Sequence, residues 1–470
     1  MVLLVVFLTH ARTGDRNSSM SELIAVKDDW AKLLSYLPGS FRELAAEKKQ
    51  LEVQYGNAKI TTADELLRFI FVHAGAGLPL RQTVTLVEEG GGPGISHVTL
   101  HQKMRRAAPY LQALVHEMSA MSRAAPTEMW AGYDVVAIDA TADSAPGSTG
   151  TDLRLHTAIR VSDLTVLHVE ATGAAGGETL KRFPLQQGQL ALVDRGYANG
   201  PGVAAAVAKG AAVLCRLNRG ALPLYENAGE RIEVLERLRS LKGRRAGEWP
   251  ARVQTELDGA ALVIPGRLVA VRLPRDDAAE ARKRVRRECG RKTSPEMLEA
   301  AGYVALWTTV PATRMSAAHC LALYRLRWQV ELLFKRWKSI CGLGELPNFI
   351  EDTILSWVLA KILLALLLDR LGSAAAECSP PEQFAGRSRT RLPRKPAAAE
   401  GDRPLGASAM DGRNYPLAKH RCRHSPAEPS GDHPHAPQDR RAPRQTDGPT
   451  ATSGRQLPRL SSQSYRKPGA

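Results

Sequence analysis

The chain has 470 residues, enough for two to four domains of about 100–200 residues each. Hydrophobic residues make up 44% of it, an ordinary value for a globular protein with a sizeable core. Its 64 Lys and Arg residues outnumber 48 Asp and Glu residues, and the net charge of +16 predicts a polyanionic partner such as nucleic acid. Six scattered cysteines form no CxxC pair, which argues against a disulfide scaffold or zinc module and favours a reducing cytoplasm.

Two apolar stretches raise the question of targeting or membrane insertion. No basic residue precedes the first, at residues 2–8, and no convincing cleavage site follows it, so we do not expect a signal peptide. We expect residues 1–19 to be an extension upstream of a natural start. The second stretch, residues 354–371, approaches the length of a bilayer span, but Lys361 and Asp369 would be costly at membrane depth. A helix buried inside the protein is expected there, and no membrane partner.

The first predicted region, residues 20–128, carries helical periodicity without strand alternation, as in ADELLRFIFVHAG. Within it, LPLRQTVTLVEE and HVTLHQKMRRAAPYL are separated by a glycine-rich turn, and Ser96 can cap the second helix. Basic residues on the polar side of that helix predict DNA binding, namely Lys103, Arg105 and Arg106. The turn is longer than in a usual helix-turn-helix, so plain helical packing is the alternative.

The middle of the chain alternates strands with helices, which predicts an α/β layer fold. Short β-rich runs fill residues 129–216, and residues 217–302 mix short strands with the charged segment DDAAEARKRVRRECGRK. YVALWTTV reads as a further buried strand, and a long helix is expected from about Ser316 to Ile340.

The last region, residues 373–470, has a different composition. Its part from residue 380 onward holds fourteen of the 29 prolines, and its Leu, Ile and Val total is five leucines. Such a segment buries too little apolar surface to offset its ordering entropy, so we predict a disordered basic tail.

Candidate metal ligands stand at two strand ends. Asp139 ends VVAID and Asp194 ends LALVD, where side chains converge at the edge of an α/β sheet. Taken singly, each is more often a cap or turn residue. In the long helix, steps of three, four and seven residues place Tyr324, Arg327, Glu331 and Lys338 on one face. The alternative is a solvated amphipathic helix.

At this helix the pattern Y-x2-R-x3-E-x6-K resembles the signature of the DDE transposases of bacterial insertion sequences, in their Tyr-Arg-Glu-Lys group. VVAIDATADSAPGSTGTDLRLH and LALVDRGY resemble that family's two aspartate segments. The resemblance implies an RNase H-like, mixed-sheet catalytic core at 129–216 and 303–372, with a mostly β insertion at 217–302. It also implies two Mg²⁺ (or Mn²⁺) ions bound by Asp139, Asp194 and Glu331.

By the same resemblance, Tyr324 and Arg327 contact phosphates near the cleaved end, and Lys338 contacts the DNA backbone. The implied function is cleavage of transposon ends and strand transfer into target DNA. The implied partners are double-stranded DNA (terminal inverted repeats and target) and a second copy of the chain, in the nucleoid-associated cytoplasm of a bacterium. Two alternatives stay open: a nuclease of the same fold, and an impaired, DNA-binding remnant whose altered C-terminus has cost it activity.

Four further residues near these motifs have open roles. Arg154 and His156 could lie near the site or serve a strand edge. Trp307 and Trp328 could stack on an extruded base, but burial in the core is the favoured expectation for both.

Overall fold

The computed structural model describes residues 26–52, 59–121, 129–148, 150–347 and 351–377. The predicted extension at 1–19 and nearly all of the predicted tail at 373–470 lie outside these residues. The exception is the first five residues of that tail, which continue the last helix to Glu377.

The amino-terminal region is helical, as predicted. Its five described helices are α1 (Val26–Leu34), α2 (Phe41–Glu47), α3 (Ala63–Ala76), α4 (Leu80–Glu89) and α5 (His97–Met121). Thr62 starts α3 with a capping box, in which its hydroxyl accepts from the Glu65 N–H and the Glu65 carboxylate accepts from the Thr62 N–H. The predicted cap at Ser96 is confirmed, because its hydroxyl accepts from the Thr99 N–H at 3.1 Å.

Helix α5 ties this region to a large sheet. Its apolar stripe, which includes Leu111 and Leu114, is fully buried in a cluster that also contains sheet residues. Gln112 adds a polar link, since its amide donates to Val169 O at 2.8 Å and accepts from Ala171 N at 3.0 Å. The helical region and the sheet therefore share one hydrophobic core.

The sheet has eight strands in the order β3-β2-β1-β4-β5-β11-β10-β7. Strands β1, β4 and β5 are parallel neighbours, and the remaining pairs are antiparallel. Their bounds are β1 (Asp134–Asp143), β2 (Leu153–Arg160), β3 (Val166–Gly173), β4 (Gln189–Val193), β5 (Ala212–Arg216), β7 (Gly247–Pro250), β10 (Arg267–Arg272) and β11 (Tyr303–Thr308). This mixed α/β architecture is consistent with an RNase H-like core.

The central strands are buried on both faces, which explains their continuous apolar runs. On β1, Val135 and Ala137 belong to the cluster shared with α5, whereas Val136 and Ile138 belong to a second cluster on the opposite face. Helix α6 (Gly200–Ala208) packs in the second cluster. The period of two along a strand therefore fixes the face on which the next residue, Asp139, emerges.

Residues 217–302 are mixed rather than mostly β, which corrects the prediction. The charged segment forms a fifteen-residue helix, α8 (Arg275–Cys289), because its acidic start and basic end suit a helix and only Ala278 is buried. Strands β7 and β10 extend the large sheet through β11, while the others form a separate three-stranded sheet in the order β6-β8-β9. The remaining elements are β6 (Leu224–Tyr225), α7 (Val234–Arg239), β8 (Arg252–Leu257), β9 (Ala260–Ile264) and α9 (Pro295–Ala300).

The predicted long helix is divided in two. Helix α10 (Ala317–Tyr324) starts at the Ser316 cap and passes through a 3-10 turn at Arg325–Arg327 into α11 (Trp328–Ile340). The final helix, α12 (Glu351–Glu377), packs on α3, α5 and β3, so the predicted buried helix is confirmed. Lys361 donates to Cys341 O at 2.9 Å. Among the helices described, none is long and apolar enough to cross a membrane.

Candidate active site

Two aspartates lie side by side on the parallel strands β1 and β4. Asp194 directly follows β4, as predicted, but the prediction that Asp139 ends its strand is wrong, because β1 continues to Asp143 in antiparallel pairing with β2. Val193 of β4 is the register partner of Ile138 of β1, so the residues that follow them, Asp194 and Asp139, are neighbours. Both continue the face of their strand that packs toward α10, α11 and α12. The local reason is the period of two in VVAID and LALVD, which buries alternate residues on each face.

Arg327 joins the first aspartate to the glutamate of α11. Its Nη1 donates to Asp139 Oδ2 at 2.6 Å, and its Nη2 donates to Glu331 Oε1 at 2.6 Å. Tyr324, one turn earlier, donates its hydroxyl to Asp194 Oδ1 at 3.2 Å. The helical face predicted from spacing thus meets both aspartates, and it is not a solvated face.

Lys338 contacts an acid that the sequence analysis did not single out. Its Nζ lies 2.6 Å from Asp143 Oδ1. Asp143 stands four residues after Asp139 on β1, which puts both on one face of the strand. That even spacing, in the segment DATAD, was the available signal.

The electrostatics of the two aspartates differ. Burial raises the pKa of Asp139 to about 6, and the charge of Asp194 adds to the rise while Arg327 opposes it. Burial also acts on Asp194, but the positive charges of Arg327 and Arg216 hold its pKa below the ordinary value. Burial disfavours the Arg327 cation, yet Asp139 and its other acidic neighbours raise the pKa of the guanidinium. Above pH about 6, both aspartates are therefore ionised around a permanent cation.

A buried polar layer lies behind Asp139. His156 is fully buried, with Nδ1 2.7 Å from Tyr197 Oη and Nε2 3.2 Å from Thr172 Oγ1. Burial lowers the pKa of His156 to about 3, so the ring is neutral. Arg154 donates to Gly176 O at 2.7 Å. Both residues hold neighbouring strands and turns in place, which is the structural alternative stated for them.

Lys103 and Trp307 are buried, whereas Trp328 is exposed. Lys103 does not face DNA: its side chain is buried, and Nζ donates to Gln50 O at 2.5 Å and Glu52 O at 3.2 Å. Trp307 is fully buried, with its indole N–H donating to Ala251 O, as expected for a core residue. Trp328 is 47% exposed, so the expectation of burial is wrong for it. Trp328 stands two positions before the buried Val330, which places the two side chains on nearly opposite sides of α11.

The three carboxylates have the chemistry that hard divalent cations require, since Mg²⁺ and Mn²⁺ prefer oxygen ligands. Their present arrangement is not that of a formed ion site. Across the described residues, no three acidic, His or Cys side chains are close enough together to hold a metal ion. The Arg327 guanidinium stands between Asp139 and Glu331.

Two of the three basic residues predicted to bind DNA on α5 are exposed. Arg105 is exposed and lies 3.9 Å from Asp352 of α12. Arg106 is also exposed. These two side chains stay accessible to a polyanion, unlike Lys103.

Comparison with known proteins identifies the family of the chain. Residues 130–367 match the family described as "Transposase DDE domain", a family that generally uses divalent metal ions. The chain is 30% identical over 347 residues to the putative transposase InsL for insertion sequence element IS186A of Escherichia coli (strain K12). It is also 30% identical over 348 residues to the transposase for insertion sequence element IS421 of Escherichia coli. Each alignment covers 73% of this chain and 93% of the relative.

Proposed function

The chain belongs to the DDE transposase family of bacterial insertion sequences, and we propose that it cuts phosphodiester bonds at the ends of such an element and joins the freed ends to target DNA. DNA transposition is the function that the family and the relatives have in common. The proposal rests on one observation. Asp139 within β1 and Asp194 just after the adjacent parallel strand β4 lie on the face toward the helix that bears Glu331, and Arg327 contacts two of the three carboxylates.

Two displacements of one kind make up the reaction. In cleavage, a water oxygen bonds to phosphorus and the bond from phosphorus to the 3′ oxygen breaks, which leaves a free 3′-hydroxyl and a 5′-phosphate. In strand transfer, that hydroxyl attacks a phosphodiester of the target, and the target's own 3′ oxygen leaves. One phosphodiester replaces another, so no external energy source is needed.

We assign Asp139, Asp194 and Glu331 as ligands of two Mg²⁺ or Mn²⁺ ions. When bound, such ions supply Lewis acidity at the attacking and leaving oxygens. The support is the donor set of three carboxylates on rigid elements, with the Asp139 side chain only 16% exposed. The carboxylates themselves fix where the ions bind, and the apolar packing behind β1 and β4 keeps the strand ends rigid.

The DNA contacts follow from charge and position. Tyr324 and Arg327 would bind phosphates near the cut, and Lys338 the backbone beyond it, because guanidinium and ammonium groups suit phosphate oxygens. Arg105 and Arg106 on α5 are the candidates for contact with the element's ends. Lys103 is withdrawn from that set, since its ammonium is buried and bonded to two carbonyls.

Each region of the chain has a role in the proposed reaction. Residues 20–128 would bind the ends, 129–216 with 303–372 would form the catalytic core, and 217–302 would be the insertion. We further propose that two copies assemble on double-stranded DNA, with terminal inverted repeats and target as substrates, in the nucleoid-associated cytoplasm.

Products from end-labelled DNA test this proposal. Purified protein, duplex carrying the element's terminal repeats, a supercoiled target and Mg²⁺ should yield joined molecules. Nicks without joined products would favour a nuclease of the same fold. A shifted band without any cleavage would favour a DNA-binding remnant, and either result would overturn the transposase proposal.

A further inference from the structure

The guanidinium of Arg327 lies between two of the carboxylates assigned as ion ligands, Asp139 and Glu331. We propose that Arg327 acts as an internal cation, which keeps these carboxylates cross-linked in the free protein and must move to a DNA phosphate before the ions assemble. This inference rests on the proposed function, because it assumes that the carboxylates are the ion ligands. In this role Arg327 is a positioning residue, which allows the ions to bind only after DNA has bound.

The geometry is that of a bridge. Two different N–H groups of one guanidinium donate to two carboxylates, each at 2.6 Å, and the Arg327 side chain is only 14% exposed. Arginine stays charged at every accessible pH, so it offsets one of the two negative charges of this pair without taking up or releasing a proton. An ion held by Asp139 and Glu331 would compete with the guanidinium for these carboxylates and would be repelled by its positive charge. The guanidinium and the ion therefore exclude one another.

The other charged groups around the site leave Arg327 as the central cation. Lys338 is engaged with Asp143 at 2.6 Å and so does not bridge the ligands. Asp194 receives the Tyr324 hydroxyl and lies near Arg216, which offsets its charge from the strand side. Both residues that hold the ligands, Tyr324 and Arg327, come from the segment where α10 passes through the 3-10 turn into α11. A small movement of that turn would release Asp139 and Asp194 together.

A phosphate is the anion best able to draw Arg327 away. It offers two oxygens to the planar fork, as a carboxylate does, and it carries the negative charge that compensates the moved cation. DNA binding would then prepare the ion site in the same step that places a phosphate beside it. The consequence is that the free protein binds divalent ions weakly.

The test measures Mn²⁺ binding to the DNA-free protein at pH 8, where Asp139 is ionised. The electron paramagnetic resonance signal of free Mn²⁺ reports how much of the ion remains unbound. Arg327→Met should bind Mn²⁺ at least tenfold more tightly than the parent. Arg327→Lys should gain less, because one ammonium keeps the charge but cannot present the fork. The matched control is Arg325→Met, an exposed arginine of the same turn, which should behave as the parent does.

A second pair of variants separates this inference from the proposed function. The gain of Arg327→Met should disappear in the double variant Arg327→Met/Glu331→Gln. If Arg327→Met and the parent bind Mn²⁺ equally while Glu331→Gln weakens both, the ion site stands and the internal-cation role is wrong. If Glu331→Gln changes nothing in either background, both ideas are wrong. Should Arg327→Met fail to fold, the comparison of Arg327→Lys with the parent decides, and equal affinities overturn the inference.

Discussion

Lys338 Nζ lies 2.6 Å from Asp143 Oδ1, at the end of the strand that also carries Asp139. Burial raises the pKa of Asp143, and the hydrogen bond from Lys338 opposes that rise. The pair sets the edge of the site nearest the end of α11. A lysine without such a partner could contact a DNA phosphate directly. Lys338 must instead give up its contact with Asp143, or keep it while it also contacts the phosphate.

Replacing Lys338 should therefore affect both DNA binding and stability. Lys338→Ala should reduce the slope of log affinity against log salt by roughly one unit, if the ammonium reaches one phosphate. It should also lower the free energy of unfolding by about 1–3 kcal/mol, because Asp143 loses its charged partner. Salt-dependent binding isotherms and urea denaturation measure the two effects. Lys242→Ala, at an exposed lysine of the insertion, is the control; an unchanged slope for Lys338→Ala would remove Lys338 from the DNA interface.

The raised pKa of Asp139 predicts a pH-dependent difference in stability. An acid whose pKa is higher in the folded state than its ordinary value of 3.8 binds a proton more tightly when folded, so its contribution to stability falls as pH rises through 3.8 and levels off above 6. Keeping Asp139 ionised at pH 8 then costs on the order of 3 kcal/mol. The melting temperature of Asp139→Asn, relative to the parent, should rise between pH 4 and pH 8. A relative melting temperature that is flat over this range would show that Asp139 ionises at its ordinary pKa.

Much of the site followed from local patterns, and what did not follow depends on distant contacts. The apolar runs before Asp139 and Asp194 predict strands, and the spacing from Tyr324 to Lys338 predicts a shared helical face. The structure contains both the strands and the shared face. The salt bridge from Arg327 to Asp139 spans 188 positions of sequence, and no local pattern encodes it. The 3-10 turn before Trp328 could not be predicted from the sequence either, because its residues have ordinary helix propensities.

Lys103 shows the same limit from the opposite direction. On the sequence it is one of three basic residues on a polar helix side, but the carbonyls that bind it lie at Gln50 and Glu52, about fifty positions earlier. Burial lowers the pKa of the ammonium, as expected when a cation leaves water. A basic residue on a helix is an interface candidate only when nothing else in the fold uses its charge.

Lys103 and Arg105 should therefore give opposite phenotypes. Lys103→Met leaves two carbonyls without their donor and should lower the free energy of unfolding by about 1–3 kcal/mol, with DNA affinity of the folded protein unchanged. Arg105→Ala, at an exposed position, should change stability by less than about 0.5 kcal/mol and weaken DNA binding. Chemical denaturation and gel-shift titration of both variants check this. Weaker DNA binding by well-folded Lys103→Met would restore the original assignment of that residue.

The sharpest prediction concerns Glu331, which should be needed for cleavage and dispensable for binding. Amide replacement in Glu331→Gln keeps the side-chain volume and helix propensity but removes one negative charge from the proposed ion site. Arg327 would keep its contact with Asp139, so the local fold should survive. Cleavage of end DNA should fall by several orders of magnitude at millimolar Mg²⁺, since two ions would face too few carboxylates. DNA affinity should stay the same or rise slightly, because a carboxylate near phosphate has been neutralised.

The matched control is Glu288→Gln, at an exposed helical glutamate of α8, which should cleave at the parental rate. Cleavage by Glu331→Gln at the parental rate would mean that the metal ligands are misassigned and that Glu331 serves as an ion-pair partner of Arg327 alone.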